Sequence, residues 1–287
     1  MSERKEGFMT RKLQASGLGV MLLAAALLGG GAISNISASE PFVIAGSPRM
    51  ADLLVALGTA FEAKHPEVKA QIHQAPGLEL RQMIATMENR DRTKYFIGSG
   101  PIHIVAPGGD ELITRLEWRY YVLPESRTPY STESLILVAP ESLVDAPTSF
   151  EALAKDRRIR IAVADPKLTV LGQRTDEFLA ALAGGRATWA DRLDVATDAK
   201  GVLDHLLNGQ ADVAIVFGPD AARVANRVRV TAMAPEQFDR PVMHSMAMER
   251  FCPNRALCQD FLRFIRTAEA EAIIKRLGYG IPKHNGD

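Results

Sequence analysis

The sequence predicts an α/β protein whose largely parallel sheets are covered by helices on both faces. Three observations predict it. Apolar strand-like runs alternate with helix-periodic segments, the 287 residues suffice for two lobes or one large domain, and no low-complexity linker interrupts them. Two lobes without a linker usually share crossing strands. Composition is that of a globular chain, 47% apolar and 24% charged, which excludes a disordered, collagen-like or many-span membrane protein. Lys+Arg and Asp+Glu each total 34, so no bulk positive charge invites nucleic acid. The two cysteines, Cys252 and Cys258, exclude a disulfide-dense scaffold and a four-cysteine zinc site. The six histidines show no pair at metal-ligand spacing.

Residues 1–38 read as a secretory signal. Arg4, Lys5, Arg11 and Lys12 make a basic start, residues 17–28 are densely apolar, and Ile36-Ser37-Ala38 supplies a small-residue exit before Ser39. An uncleaved anchor is the other reading, since the apolar run is near the minimum for spanning. No cysteine stands at the exit for lipid attachment, and no twin-arginine pair precedes the core. Cleavage after Ala38 removes four basic and two acidic residues, leaving 30 against 32, a mature net charge of −2. An exported, nearly neutral protein is expected.

The mature part alternates from its start. Phe42-Val43-Ile44-Ala45 is an apolar strand, and Ser47-Pro48 starts a helix, with serine as cap and proline at the first position. Met50, Leu53, Leu54, Leu57 and Phe61 form its apolar face. Val68, Ala70 and Ile72 alternate as a strand; Leu80, Met83, Ile84 and Met87 make a second helix face. Residues 102–105 are a strand, Gly108-Gly109-Asp110 opens a helix, and residues 120–131 are irregular. Beyond them, strands are expected at 135–138, 159–163, 213–217 and 242–248. Helices are expected after Ser149, around Phe178-Leu179-Leu182 and Val202-Leu203-Leu206, and over 254–266 and 268–277.

Four segments carry a family resemblance. "GQADVAIVFGPDA" (209–221) looks like the strand end beside the ligand in periplasmic molybdate-binding proteins. "VADPKLTVLGQRTDEFL" (163–179) is similar to that family's Asp-Pro loop and following helix. "AEAEAIIKRLGYGIP" (268–282) resembles its C-terminal helix and Gly-aromatic turn, and "VIAGSPRMADLL" (43–54) its first strand and ligand serine. The resemblance covers nearly the whole mature chain in order. It implies two α/β lobes joined by two crossing strands, a type II periplasmic receptor of an ABC importer, and no cofactor. Lobe 1 would be 39–130 plus 239–287, and lobe 2 131–238. The partners implied are a small anionic ligand and the importer's permease and ATPase, with the receptor itself a monomer.

A dianion can be held by unpaired N–H groups at the positive ends of helix dipoles. Strand-to-helix turns that offer them stand at Gly46-Ser47, Gly108-Gly109, Leu171-Gly172 and Ala199-Lys200, where open α/β sheets place ligands. By the resemblance, Ser47 matches the first ligand serine, while Leu171 beside Gly172, and Ala199, match backbone donors. Phe217 stands where the family has a tyrosine, and the second serine falls near Ala75-Pro76-Gly77, where none exists. Two hydroxyl donors are therefore missing; at about 1.5–3 kcal/mol each, their loss weakens an oxyanion by roughly 10²–10⁴-fold. Arg49, Arg81 and Arg174 follow turns near the expected cleft and could replace them.

Competing readings stay open at this point. His73 and His103 read as packed histidines, and Met243 to Cys252 suggests a soft copper site, although the segment aligns with a core strand. Gly98-Ser99-Gly100 is too short for a phosphate loop. A hydrolase using Ser47 lacks a Gly-x-Ser-x-Gly elbow, so no enzyme is expected. A receptor turned sensor or assembly partner is the remaining alternative. Export and the Cys252-Pro253-Asn254 turn predict a Cys252–Cys258 disulfide.

Overall fold

The computed structural model describes residues 40–75, 102–183 and 188–283. The signal segment, the helix face from Leu80 to Met87, and Gly77, Arg81 and Gly98 to Gly100 lie outside the described residues.

The chain opens with β1 (Glu40–Gly46), α1 (Ala51–Glu62), β2 (Val68–Gln74), β3 (Ile102–Ala106), α2 (Asp110–Trp118) and β4 (Thr128–Glu133). It crosses at Ser134 into β5 (Leu135–Pro140), α3 (Phe150–Lys155), β6 (Ile161–Ala164), α4 (Val170–Ala183) and β7 (Leu193–Ala196). Then come α5 (Ala199–Leu207), β8 (Val213–Phe217), α6 (Gly218–Ala222) and β9 (Val228–Met233). The chain returns through β10 (Val242–Met248) to α7 (Arg255–Phe264) and α8 (Ala268–Arg276).

Two five-stranded sheets result, ordered β2-β1-β3-β10-β4 and β7-β6-β8-β5-β9. In the first, β10 runs antiparallel to both of its neighbours while the other four strands share a direction. In the second, β5 alone is reversed. The sheets are thus mixed, each with one reversed strand beside the crossing. The protein has the two-lobed fold, with the lobes exchanging chain at Ser134 and again between Met233 and Val242.

Burial of both sheet faces follows from apolar runs without polar alternation. Phe42 and Ile44 pack with Leu53, Leu54, Leu57 and Phe61 of α1 on one face, while Val43 and Ala45 meet Ile113 and Leu116 of α2 on the other. In the second lobe, strand residues such as Leu137 and Ile215 are fully enclosed with Phe150, Phe178 and Trp189.

One stretch departs from the sequence expectation. Within the segment expected to be irregular, Thr128 to Ser131 belong to β4, paired with β10 from Thr128↔Met246 to Glu133↔Val242. Its sequence, TPYSTE, carries no apolar alternation, yet Thr128, Tyr130, Ser131 and Glu133 are buried. Tertiary partners supply that burial: Ser131 Oγ lies 3.1 Å from His244 Nδ1, and Thr132 exchanges both backbone hydrogen bonds with Gly280. β7 and β9, each with exposed positions, were also not evident from periodicity.

Asp239 pins the crossing. Its Oδ2 accepts the N–H of Leu135 at 3.1 Å, and its Oδ1 takes the Arg174 guanidinium from α4. Both chain passages are thereby tied to one buried carboxylate.

Candidate functional site

A cavity of about 590 Å³ opens between the lobes. Lobe 1 contributes Ser47, Arg49, Pro107 and Gly108, and the crossing strands contribute Glu133, Val242 and His244. Lobe 2 contributes the starts of α4 (Thr169, Val170, Leu171) and α5 (Asp198, Ala199, Lys200), with Phe217, Asp220 and Arg223.

Three chain turns aim at this space. After β1, Ser47 precedes a 3-10 turn (Pro48–Met50) that leads into α1; its side chain makes no capping hydrogen bond, because the tight turn closes through Met50 N–H to Ser47 carbonyl at 3.0 Å. The expected serine cap is therefore absent. The hydroxyl instead lies against Gly108, whose φ of +90° and contact with Oγ leave no room for a side chain. After β6, Thr169 caps α4: its Oγ1 accepts the Gly172 N–H at 2.9 Å. A Cβ on Gly172 would come within 2.4 Å of the Asp165 carbonyl, so glycine is what lets the helix start sit on the loop. Leu171 keeps a first-turn N–H beside the cavity, with no intrahelical acceptor by helix geometry. After β7, Asp198 caps α5 by accepting the Gly201 N–H at 2.8 Å, leaving Ala199 at the first helical position.

Arg49 stands at the centre. Its Nη2 donates to Glu133 Oε1 and lies 3.6 Å from Asp220 Oδ2, and its guanidinium carbon is 5.0 Å from the Phe217 ring centroid. The Tyr279 hydroxyl donates to the Arg49 carbonyl at 3.4 Å. Arg49 therefore joins the first lobe to the crossing strand and to the second lobe. Burial pulls its pKa down, but the two carboxylates leave it above its ordinary value. Glu133 and Asp220 are almost fully enclosed, and burial holds both carboxyl pKa values up against the arginines that lower them. His244, with Nε2 3.6 Å from Glu133 Oε2, is pushed down to about 4 by burial and by the charge of Arg49. It is neutral at physiological pH. The described lining carries Glu133, Asp198 and Asp220 against Arg49, Lys200 and Arg223, a cavity without net charge.

Of the residues singled out in the sequence, Ser47, Arg49, Leu171, Ala199 and Phe217 line the cavity. Gly46 and Gly172 lie just behind, Gly46 accepting the Ala75 N–H through its carbonyl at 3.0 Å. Arg174 is turned away to Asp239 and the Arg240 carbonyl. Met246 and Met248 sit in the core, Cys252 is joined to Cys258, and His103 Nδ1 accepts the Val43 N–H at 3.1 Å. Sequence reasoning missed Glu133, Asp220 and Arg223. The signal for Asp220 was an acid directly after an apolar strand and Gly-Pro; Glu133 closes a polar strand that periodicity does not mark.

Two lobes joined by crossing strands, closing on a cavity rimmed by helix starts, define a solute-binding protein. The chain belongs to the bacterial extracellular solute-binding protein family, whose profile matches residues 42–280. It is a binding protein rather than an enzyme. Among solved structures, it resembles one described as the substrate-binding domain of a molybdenum ABC transporter from Clostridium difficile: 18% identity, TM-score 0.73, covering 85% of this chain and 100% of that one. It also resembles the periplasmic molybdate-binding protein of Azotobacter vinelandii, at 18% identity and TM-score 0.57, with 84% and 100% covered. Iron-bound HitA from Pseudomonas aeruginosa follows at 13% identity and TM-score 0.59, with 86% and 88% covered. At these identities the likeness establishes the fold. No curated protein sequence matches the chain.

Proposed function

We propose that the chain is the periplasmic receptor of an ABC importer and captures a small oxyanion between its lobes. In this reading the signal is cleaved after Ala38, and lobe 1 (39–130 plus 239–287) and lobe 2 (131–238) close as a monomer before docking on the permease and ATPase. No helix among the described residues is long and apolar enough to cross a membrane. The observation that carries the reading is the convergence of the Ser47, Leu171 and Ala199 turns, with Arg49, on one interlobe cavity. Helix starts offer N–H groups and positive dipole ends, which suit an anion. Support for molybdate in particular comes from the two molybdenum-related neighbours. Against it stand Phe217, which cannot donate, and the carboxylates in the lining.

Titration calorimetry on the mature protein with molybdate, tungstate, sulfate, phosphate and small carboxylates tests the proposal. At least one anion should bind with compaction of the protein in solution scattering. Phe217→Tyr should strengthen molybdate binding roughly tenfold if one hydrogen bond of about 1.5 kcal/mol is restored. Absence of binding by every anion would refute the reading and favour a sensor or assembly role.

A further inference from the structure

Resting on the oxyanion reading above, we propose that the ligand is an organic monocarboxylate with an apolar body, rather than a tetrahedral metal oxyanion. Charge is the first argument. Three carboxylates and three cations line the described cavity, so a dianion would meet no net countercharge. Partial charges at helix starts, about half an elementary charge each, can balance one negative charge more readily than two.

Arg49 is the second argument. Glu133 engages one edge of its guanidinium, Phe217 supports its face, and Tyr279 anchors its backbone. The side chain is 46% exposed where it lines the cavity, and Nη2 carries a second N–H besides the one given to Glu133, which together with an adjacent N–H makes a two-pronged edge. A planar group fixed in this way presents a fork that receives two oxygens of a carboxylate, as it would two of a tetrahedral anion, so Arg49 supplies the anion contact while the charge balance and the walls supply the choice. The fixed orientation also lowers the entropy lost on binding.

The walls are the third argument. Pro107, Val170, Leu171, Phe217 and Val242 place apolar surface around the polar centre. The volume, about 590 Å³, falls in the range of sites that enclose organic molecules. A compact inorganic ion would leave these walls unfilled. A short aliphatic or aromatic body would cover them and exclude water from the Arg49 contact.

Titration calorimetry of the full mature chain with benzoate, hexanoate, acetate, sulfate and molybdate tests this. Benzoate or hexanoate should bind at least tenfold more tightly than molybdate and sulfate. Arg49→Lys keeps a cation beside Glu133 but loses the fork; it should weaken the preferred carboxylate at least tenfold. Val242→Phe narrows the cavity and should weaken benzoate and hexanoate while sparing acetate, and it keeps the test alive if Arg49→Lys fails to fold in thermal unfolding. Molybdate or sulfate binding more tightly than every carboxylate, or carboxylate binding indifferent to both substitutions, would overturn the assignment and leave the oxyanion reading standing. Binding of no anion at all would overturn both.

Discussion

Arg223, just past α6 in the second lobe, and Asp52, in the first turn of α1 in the first lobe, face each other with Nη2 and Oδ2 3.0 Å apart. The pair spans the mouth of the cleft, and Arg223 also lies 3.8 Å from the buried Asp220. Arg223 thus reaches both across to the first lobe and inward to the cavity wall.

Because the pair is exposed, at 58% and 68%, its contribution to closure is small, about 0.2–1 kcal/mol. Asp52→Asn should weaken binding of the preferred anion by no more than about fivefold in low salt. The difference should vanish at high ionic strength, where surface charges are screened. Titrations of both proteins at two salt concentrations check this, and an effect that survives high salt would assign Asp52 another role.

Backbone also meets backbone between the second lobe and the C-terminal turn. A Cβ on Gly218 would come within 2.2 Å of the Gly278 carbonyl oxygen, and Gly278 itself has φ of +83°. Gly218 belongs to the second lobe and Gly278 to the C-terminal turn packed on the first. Gly218→Ala should leave the thermal midpoint within a few degrees but hold the lobes apart. Small-angle scattering with saturating anion should show no compaction, and affinity should fall at least tenfold. Full compaction in that variant would contradict the contact's role.

His244 confers acid sensitivity. It titrates at about 4 in the folded chain against an ordinary 6.5, so on acidification the unfolded chain takes up this proton first. The stability it contributes is complete above pH 6.5 and is lost as pH falls from about 6.5 to about 4, up to roughly 3 kcal/mol over that window. Glu133 and Asp220 act in the opposite sense. Their raised values let the folded chain bind protons first, which offsets part of the loss. His244→Gln should therefore flatten the fall in urea midpoint between pH 6.5 and 4, whereas an unchanged slope would place the acid sensitivity elsewhere.

The Cys252–Cys258 bond closes a short loop at the start of α7. Native, unreduced protein should react with no maleimide at these positions. Reduction should lower stability by about 2 kcal/mol, the scale expected for a short loop, seen as a lower thermal midpoint. Two thiols titrating without reductant would refute it.

What the sequence made legible follows from where the physics is local. β5 and β8 are unbroken apolar runs, β1 and β3 are apolar but for Glu40 and His103, and α1 shows its buried face at helical spacing. The turn at Ser47 was readable from an apolar strand ending in Ser-Pro, although the serine cap is absent, whereas Leu171 and Ala199 stood out through the family resemblance and not through their caps, Thr169 and Asp198. β4 was not legible, because its polar residues find partners far along the chain, such as His244 against Ser131 and Arg49 against Glu133. Arg174 illustrates the same limit. Its position after a turn suggested a ligand contact, but Asp239, 65 residues on, takes its guanidinium. Glu133 and Asp220 became visible only once folding brought them under Arg49.

The position of β10 has a consequence for how the molecule assembles. This strand lies between β3 and β4, so the first sheet is split until residues 242–248 arrive. The second sheet, by contrast, is drawn wholly from residues 135–233. A chain emerging N-terminus first can complete the later lobe while the earlier one still waits, with β3 and β4 lacking the strand that joins them. Long-range pairing of this kind slows folding and prolongs exposure of unpaired edges. Refolding should accordingly show two phases, the slower one ending when the last 45 or so residues dock, so that the first part of the polypeptide to appear is the last to become native.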